Sequence, residues 1–164
     1  MRWLRDAAYL SAVTATAPVS VIVVNWNGGD DLLRCLSSLA AQTLLPERIV
    51  VIDNGSTDGS ADAAARMADA DERLAPRILF HRAARNLGFA AANNLAVSLC
   101  DTEFVALLNP DAFPEPGWLE ALLDAARRHT AAAAFGSLQL LDGTSGLVDG
   151  IGDVYHVSGL SWRE

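Results

Sequence analysis

Two apolar runs in this chain end abruptly in acids: Leu107-Leu108-Asn109-Pro110-Asp111 and Ile49-Val50-Val51-Ile52-Asp53-Asn54-Gly55-Ser56. A buried strand that stops at an Asp delivers a hard oxygen ligand to the rim of a sheet, where a divalent cation and a diphosphate can meet. Gly55 permits a tight turn between the second run and the helix that follows. A plainer reading stands beside this one. Asp111, before Ala-Phe-Pro, can make a turn or cap the next helix, and Asp-Asn-Gly-Ser is strong turn chemistry by itself. On the functional reading, the side chains of Asp53 and Asn54 hydrogen-bond a nucleobase or ribose at the sheet rim.

A third stretch, Asn86-Leu87-Gly88-Phe89-Ala90-Ala91-Ala92-Asn93-Asn94, places two amides in a helix otherwise built of Ala and Leu. An amide buried without a partner costs about 1–3 kcal/mol. Asn93 and Asn94 therefore need partners, either a sugar or phosphate or a neighbouring loop backbone. Arg85 has two readings as well, a diphosphate contact or an ordinary surface cation. His81, His129 and His156 are scattered and form no nucleophile–His–acid set. The absence of a Walker A sequence, and of GxGxxG after a strand, weighs against kinases and nicotinamide dehydrogenases.

These residues need a scaffold that gathers them. Val19 to Val24 is β-branched and reads as a buried strand, with Asn25-Trp26-Asn27-Gly28-Gly29-Asp30 as its turn. Leu32, Leu33, Leu36 and Leu39 recur at helical spacing behind a cap at Asp30 or Asp31, and this helix ends near Gln42. Strands are predicted over 48–53, 77–81 and 103–108. Helices are predicted over 61–70, capped by Ser56 or Asp58, over 88–99 as a buried helix, and from Pro114 onward. Ala131 to Gly136 is assigned as a strand because it follows a full-length helix. Strand–helix alternation implies an α/β fold, a mostly parallel sheet flanked by helices, with ligands beyond the carboxyl ends of the strands. Asn25, Asp53 and Asp111 all fall at those ends.

Bulk properties narrow the function. The 164 residues suffice for a domain with a core, 51% are hydrophobic, and the net charge is -8. No basic cluster matches a nucleic-acid backbone, so nucleic acid is excluded as a partner. An acidic protein can still bind a diphosphate when a metal ion supplies the positive charge. Cys35 and Cys100 lie outside any CxxC or Cys/His cluster and read as buried apolar thiols of a cytoplasmic protein. No run reaches the ~20 apolar residues that span a bilayer. The first 17 residues read as an extension, for which a peripheral membrane contact through Trp3, Leu4 and Tyr9 is the alternative.

Four motifs in this order resemble family 2 glycosyltransferases, and among them the rhamnosyltransferase-like enzymes of bacterial polysaccharide assembly. They are Val19-Ser20-Val21-Ile22-Val23-Val24-Asn25-Trp26-Asn27, Val51-Ile52-Asp53-Asn54-Gly55-Ser56-Thr57-Asp58-Gly59-Ser60, Asn86 to Asn94, and Leu108-Asn109-Pro110-Asp111. The resemblance covers roughly residues 18–163. It implies a GT-A fold, a nucleotide-sugar donor (UDP-, dTDP- or GDP-linked), a glycan or lipid-linked acceptor, Mg or Mn, and transfer with inversion. It places Asn25, Asn27, Asp53, Asn54, Arg85, Asn86, Gly88, Asn94 and Asn109 at the donor, and it makes Asp111 the metal-binding acid of an Asp-x-Asp motif whose first acid is here Asn109.

In that family the catalytic base lies well past the metal motif, and Asp142, Asp149, Asp153 and Glu164 do not match it, so no catalytic residue is assigned. The expected organisation is an extension over 1–17, a nucleotide-sugar-binding domain over 18–141, and the start of a cut acceptor-side region over 142–164. A cut domain exposes apolar surface, and a homodimer through that surface is expected. Two other functions compete. A nucleotidyltransferase would want a Lys- or Arg-bearing Gly-rich loop after the first strand, which Asn25 to Gly29 lacks. A non-catalytic module would keep the donor site only as a vestige.

Overall fold

Short runs of Val and Ile form the centre of the protein because their branched side chains pack well on a pleated, buried surface. In this computed structural model, residues 16–143, 146–150, 153–155 and 161–163 are described. The chain divides into two compact units, Met1–Glu120 and Ala121–Glu164. The N-terminal residues Trp3, Leu4 and Tyr9 lie outside the described residues, as do Gly152, His156, Gly159 and Glu164 at the other end.

The first unit runs β1 (Thr16–Asn25), α1 (Gly29–Ala40), β2 (Leu45–Asp53), α2 (Ser60–Ala70), β3 (Ile78–Arg82), α3 (Phe89–Val97), β4 (Phe104–Leu108) and then the start of α4 (Trp118–Arg128). Its sheet has four strands in the order β3-β2-β1-β4, and every pairing is parallel. The alternation read from the sequence is thus the observed one. β1 begins at Thr16, where Thr16 and Ala17 already pair with Leu45 and Pro46.

Alternate strand residues divide the core into two layers. Ile22, Val24, Val50 and Ile52 meet Ala92 and Ala96 of α3, with Leu95, Leu99 and Cys100 packed against them. The opposite strand face, Val21, Val23, Ile49 and Val51, is equally buried. α1 and α2 pack on each other and bury Leu32, Cys35, Leu36 and Leu39 together with Ala61, Ala64 and Ala68. Each large aliphatic side chain so buried contributes roughly 1.5–3 kcal/mol.

Successive crossovers step from β1 to β2 to β3 and then return to the far side of β1 for β4. The direction of winding therefore reverses at β1. Such a switch point opens a crevice at the carboxyl edge.

Several sequence expectations are corrected. β4 is not a buried strand, since among the described residues it pairs with β1 only and, as an edge, leaves Val105 41% and Leu107 57% exposed. α3 is not a buried helix either: it buries Ala92, Asn93 and Ala96 on one face and leaves Phe89 and Val97 exposed. Gly28, not Asp30 or Asp31, is the N-cap of α1, and those two acids lie in its first turn, where the helix dipole favours them. Ala131 to Gly136 forms no strand. In the second unit the strands are β5 (Gln139–Leu140) with β6 (Val148–Gly150), and β7 (Asp153–Tyr155) with β8 (Ser161–Arg163), both pairs antiparallel. An Ala run lacks the β-branched side chains that favour a strand, and length alone misassigned it. Regular pairing after Asp142 was not legible, because the segment is short and punctuated by Gly.

Candidate functional site

Parallel pairing brings the carboxyl ends of all four strands to one edge. Asn25 pairs with Asp53 and Asp53 with Arg82, and one strand further across, Val23 pairs with Leu108, three residues before Asp111. With neighbouring strands about 4.8 Å apart, the ends of β2 and β4 lie about 10 Å from each other across β1. Residues 53 and 111 thus belong to loops on the same rim.

Asn25 is the junction of this edge. It is fully buried. Its Nδ2 donates to Ser56 Oγ at 3.0 Å and Ser60 Oγ at 3.0 Å, and faces Asp53 Oδ1 at 3.4 Å. Its Oδ1 accepts from the Gly28 amide at 3.1 Å, and its backbone carbonyl accepts from the Asn54 amide at 2.7 Å. One side chain therefore fixes the β1–α1 loop against the β2–α2 loop. Gly28 is right-handed, so no conformational demand selects glycine there. Space does, because a Cβ would sit 2.4 Å from Asn25 Oδ1.

Asn27 supports the same junction in the left-handed region, at φ 54°. Its amide donates to Ser56 Oγ at 2.9 Å, and its Oδ1 accepts from the Thr57 amide at 2.8 Å. Asp58 completes the set, accepting from the amides of Gly29 (2.9 Å) and Ser60 (3.0 Å). The Ser60 hydroxyl and amide hold the exposed Asp58 carboxyl below the usual carboxylate range. The cap of α2 is Gly59, with Asp58 supporting it through Ser60.

Asp53 is 6% exposed. Its Oδ1 accepts from the Ser56 amide at 3.3 Å, while Oδ2 takes no bond from the described residues and is not sealed from solvent. One oxygen anchors the carboxylate, and the other has no partner among the described residues. The guanidinium of Arg82 feels the Asp53 charge, but its direct partner is Asp62. Asn54 carries the network to the next loop: Nδ2 donates to Asn86 Oδ1 at 3.0 Å, and Oδ1 accepts from the Leu87 amide at 2.8 Å. Asn86 Oδ1 also takes the Gly88 amide at 2.7 Å. The β3–α3 loop lies so close that a Cβ on Gly55 would meet Asn86 N and Arg85 C at 2.9 Å. The Arg85 side chain itself is exposed and makes no ion pair among the described residues.

The two amides of α3 separate. Asn93 is buried and returns its Nδ2 to the Phe89 carbonyl at 2.9 Å, so its partner is its own helix. Asn94 is exposed and is not the buried amide the sequence suggested. Asn109 and Asp111 are both exposed on the β4 loop. The Asn109 carbonyl accepts from Cys35 Sγ at 3.6 Å. The Cys35 thiol is pushed up to about 12, first by burial and second by the charge of Asp111, so it stays neutral under the loop. Cys100 is half-buried and also free.

No group of three His, Cys, Asp or Glu side chains that could cage a metal occurs among the described residues. The donors present fit another kind of cation site, in which Asp111 supplies one carboxylate and phosphate oxygens of a ligand supply others, the usual habit of Mg²⁺. Sequence reading missed Ser60 and Gln42 and saw Ser56 and Asp58 only as caps. Isolated hydroxyls and amides carry no periodic signal, and only the fold shows what they join.

A family profile for glycosyl transferase family 2 matches residues 20–147. The chain belongs to that family. Curated relatives agree. It is 32% identical over 134 residues to the N-acetylglucosaminyl-diphospho-decaprenol L-rhamnosyltransferase of Mycobacterium tuberculosis, a match covering 75% of this chain and 41% of that protein. It is 37% identical over 113 residues to the succinoglycan biosynthesis protein ExoU of Rhizobium meliloti, covering 68% and 32%. The match thus spans about a third to two fifths of these family 2 relatives.

Solved structures share the GT-A arrangement. Staphylococcus aureus TarS has TM-score 0.64 at 21% identity, with 78% of this chain and 23% of TarS covered. The Pyrobaculum calidifontis mannosyltransferase, solved with GDP-Man and Mn2+, has TM-score 0.58 at 24% identity, with 82% and 40% covered. At these identities the likeness is one of fold. No described helix of the family 2 chain is long and apolar enough to cross a membrane.

Proposed function

We propose that this chain carries the donor-binding half of a glycosyltransferase that takes a sugar from a nucleoside diphosphate to a glycan or lipid-linked acceptor. The observation that carries the reading is the shared rim. Asp53, with one anchored and one open oxygen, and the exposed Asp111 stand on loops at one carboxyl edge, on either side of the strand where the winding reverses. The base and ribose lie toward Asp53 and Asn54, and the diphosphate lies toward Asn109 and Asp111. The TarS complex with UDP-GlcNAc and the mannosyltransferase complex with GDP-Man and Mn2+ support a nucleotide-sugar as the ligand class. The family 2 relative that is a rhamnosyltransferase supports a lipid-linked acceptor.

In this reading Asp53 Oδ2 accepts a hydrogen bond from the base or ribose, and the Asn25 and Asn54 network holds that carboxylate in place. Asp111 would hold Mg²⁺ or Mn²⁺, which when bound would neutralise charge on the departing phosphate oxygens. The anomeric carbon–oxygen bond to the diphosphate breaks as the acceptor oxygen attacks from the opposite face, with inversion. The acceptor proton goes to a carboxylate base, to which no residue is assigned.

Calorimetry with UDP, dTDP and GDP, with and without Mn²⁺, tests this. One nucleotide is expected to bind, and Mn²⁺ is expected to tighten it. Asp111→Ala is expected to lose that tightening, about tenfold or more in Kd, with unchanged thermal unfolding. Failure of every nucleotide at millimolar concentration would overturn the reading. Retained Mn²⁺ dependence in Asp111→Ala would remove Asp111 from the site.

A further inference from the structure

We propose that Gln42 is a positioning residue for Asp111, acting through the segment that follows it. The inference rests on the reading of Asp111 as the cation-binding acid. Gln42 follows the C-cap of α1 and is fully buried. Its side chain is directed at the far end of the Asp111 loop. Nε2 donates to the Glu115 carbonyl at 2.8 Å and the Ser38 carbonyl at 3.2 Å, and it lies 3.4 Å from the Pro114 carbonyl. Oε1 accepts from the Leu119 amide at 3.2 Å, one of the first-turn donors of α4 that its own helix cannot satisfy. Thr43 adds two bonds to the Pro116 carbonyl, from its amide at 2.8 Å and from its hydroxyl at 3.1 Å.

The sequence explains why these handles are carbonyls. Pro114 and Pro116 have no N–H and a fixed φ, so this stiff segment is held through its oxygens. Gln42 and Thr43 supply the donors. At the near end the Asn109 carbonyl rests on Cys35 Sγ, and between the two ends the guanidinium of Arg34 lies 3.7 Å over the Phe113 ring. The Ala112 amide closes the turn onto the Asn109 carbonyl at 3.1 Å. Asp111 therefore sits on a span pinned at its near end to α1 and at its far end to the two residues that follow the α1 C-cap. Gln42 holds the distal pin, and releasing it frees the carboxylate without touching the Asp53 side of the rim.

Gln42→Glu keeps the shape and turns the Nε2 donor into an acceptor facing carbonyls. Two readouts are taken on the whole chain. The first is hydrogen exchange of the Ala112 amide, which closes onto the Asn109 carbonyl and needs no ligand. It is expected to be about tenfold or more faster in the variant than in wild type at pH 7.5, while amides of β1 and β2 stay as in wild type. That excess over wild type is expected to shrink toward pH 5, where protonation of the introduced carboxyl restores a donor. The second is the ratio of nucleotide Kd without and with Mn²⁺. The variant is expected to lower this ratio about fivefold or more, with the metal-free Kd within about twofold of wild type.

Unchanged Ala112 exchange overturns the proposal, as does an equal loss in both dissociation constants, which marks a merely structural role. If wild type binds no nucleotide, the donor-site reading fails while the exchange result still decides the positioning role. Thr43→Val removes an exposed hydroxyl that reaches Glu120 Oε2 as well as the Pro116 carbonyl, each at 3.1 Å, and stands in if Gln42→Glu does not fold. It is expected to move both readouts the same way by about two- to threefold, and no movement counts against the proposal.

Discussion

Replacing Gly55 with Ala should both destabilise the protein and weaken nucleotide binding, and Gly59→Ala provides the control that separates the causes. The two glycines share a left-handed backbone, with φ of 80° and 82°. An L-residue in that region costs roughly 1–2 kcal/mol, and this component is common to both variants. Their surroundings differ. A Cβ at Gly59 meets nothing within 4 Å, whereas at Gly55 it meets Arg85 C and Asn86 N at 2.9 Å. Those contacts are backbone atoms, so no side chain can rotate away, and the β3–α3 loop itself must retreat. Overpacking of this kind costs about 1–3 kcal/mol.

Gly59→Ala is therefore expected to cost about 1–2 kcal/mol and Gly55→Ala about 2–5 kcal/mol. Urea unfolding at constant m measures the difference. The retreat of Asn86 stretches its 3.0 Å bond from Asn54 Nδ2, so Gly55→Ala should also lose nucleotide affinity while Gly59→Ala keeps it. Equal destabilisation, or equal affinity, would show that the loop does not press on Gly55 as described.

Other perturbations follow from the same network. Asn25→Asp sets a second carboxylate 3.4 Å from Asp53 Oδ1 in a buried junction, a repulsion of up to about 5 kcal/mol at an effective dielectric of 20. The pair then retains a proton, its carboxyl value is raised, and stability present at low pH is lost as pH rises through that value. The urea midpoint of Asn25→Asp should fall between pH 5 and 8 relative to Asn25→Ala, and parallel behaviour of the two variants would refute the contact. Cys35, held up at about 12 by burial and then by Asp111, should resist alkylation at pH 8 until urea unfolds the chain, while Cys100 reacts first; peptide mass spectrometry reads the order. Because the folded value lies above the ordinary 9.0, the thiol's contribution to stability is complete below pH 9 and declines from there toward 12.

What the sequence disclosed and what it hid have physical causes. Val19 to Val24 and Ile49 to Asp53 were readable as strands because continuous β-branched runs ending in polar residues leave little else to form. The placing of Asn25 and Asp53 at their ends, and of Asp111 beyond the end of β4, followed from the rule that parallel sheets present their carboxyl edge to ligands. The exposure of β4 was not readable. Phe104 to Leu108 has a core composition, and only the strand order shows that it has a single neighbour among the described residues. The fate of Asn93 and Asn94 was equally hidden, since the two are adjacent in sequence and a helix turns them about 100° apart, one inward and one outward.

The buried polar side chains clarify how such an edge stays in place. Asn25, Gln42, Asp53, Asn54, Ser60 and Asn93 are all buried, yet the only sealed side-chain atom without a partner among the described residues is Arg77 Nε. A network whose sealed atoms are paired is stiff in a low-dielectric setting, because moving a member leaves another unsatisfied at about 1–3 kcal/mol. The two halves of the rim are stiffened by different means. Around Asp53 the loops hold each other through Asn25, Asn54 and Asn86. Around Asp111 a proline-bounded span lies along α1 and is held by Cys35, Arg34 and Gln42. Damage to one half should therefore leave the other standing. Nucleoside recognition and diphosphate recognition should then be separable by single substitutions, with Gly55 variants acting on the first and Gln42 variants on the second.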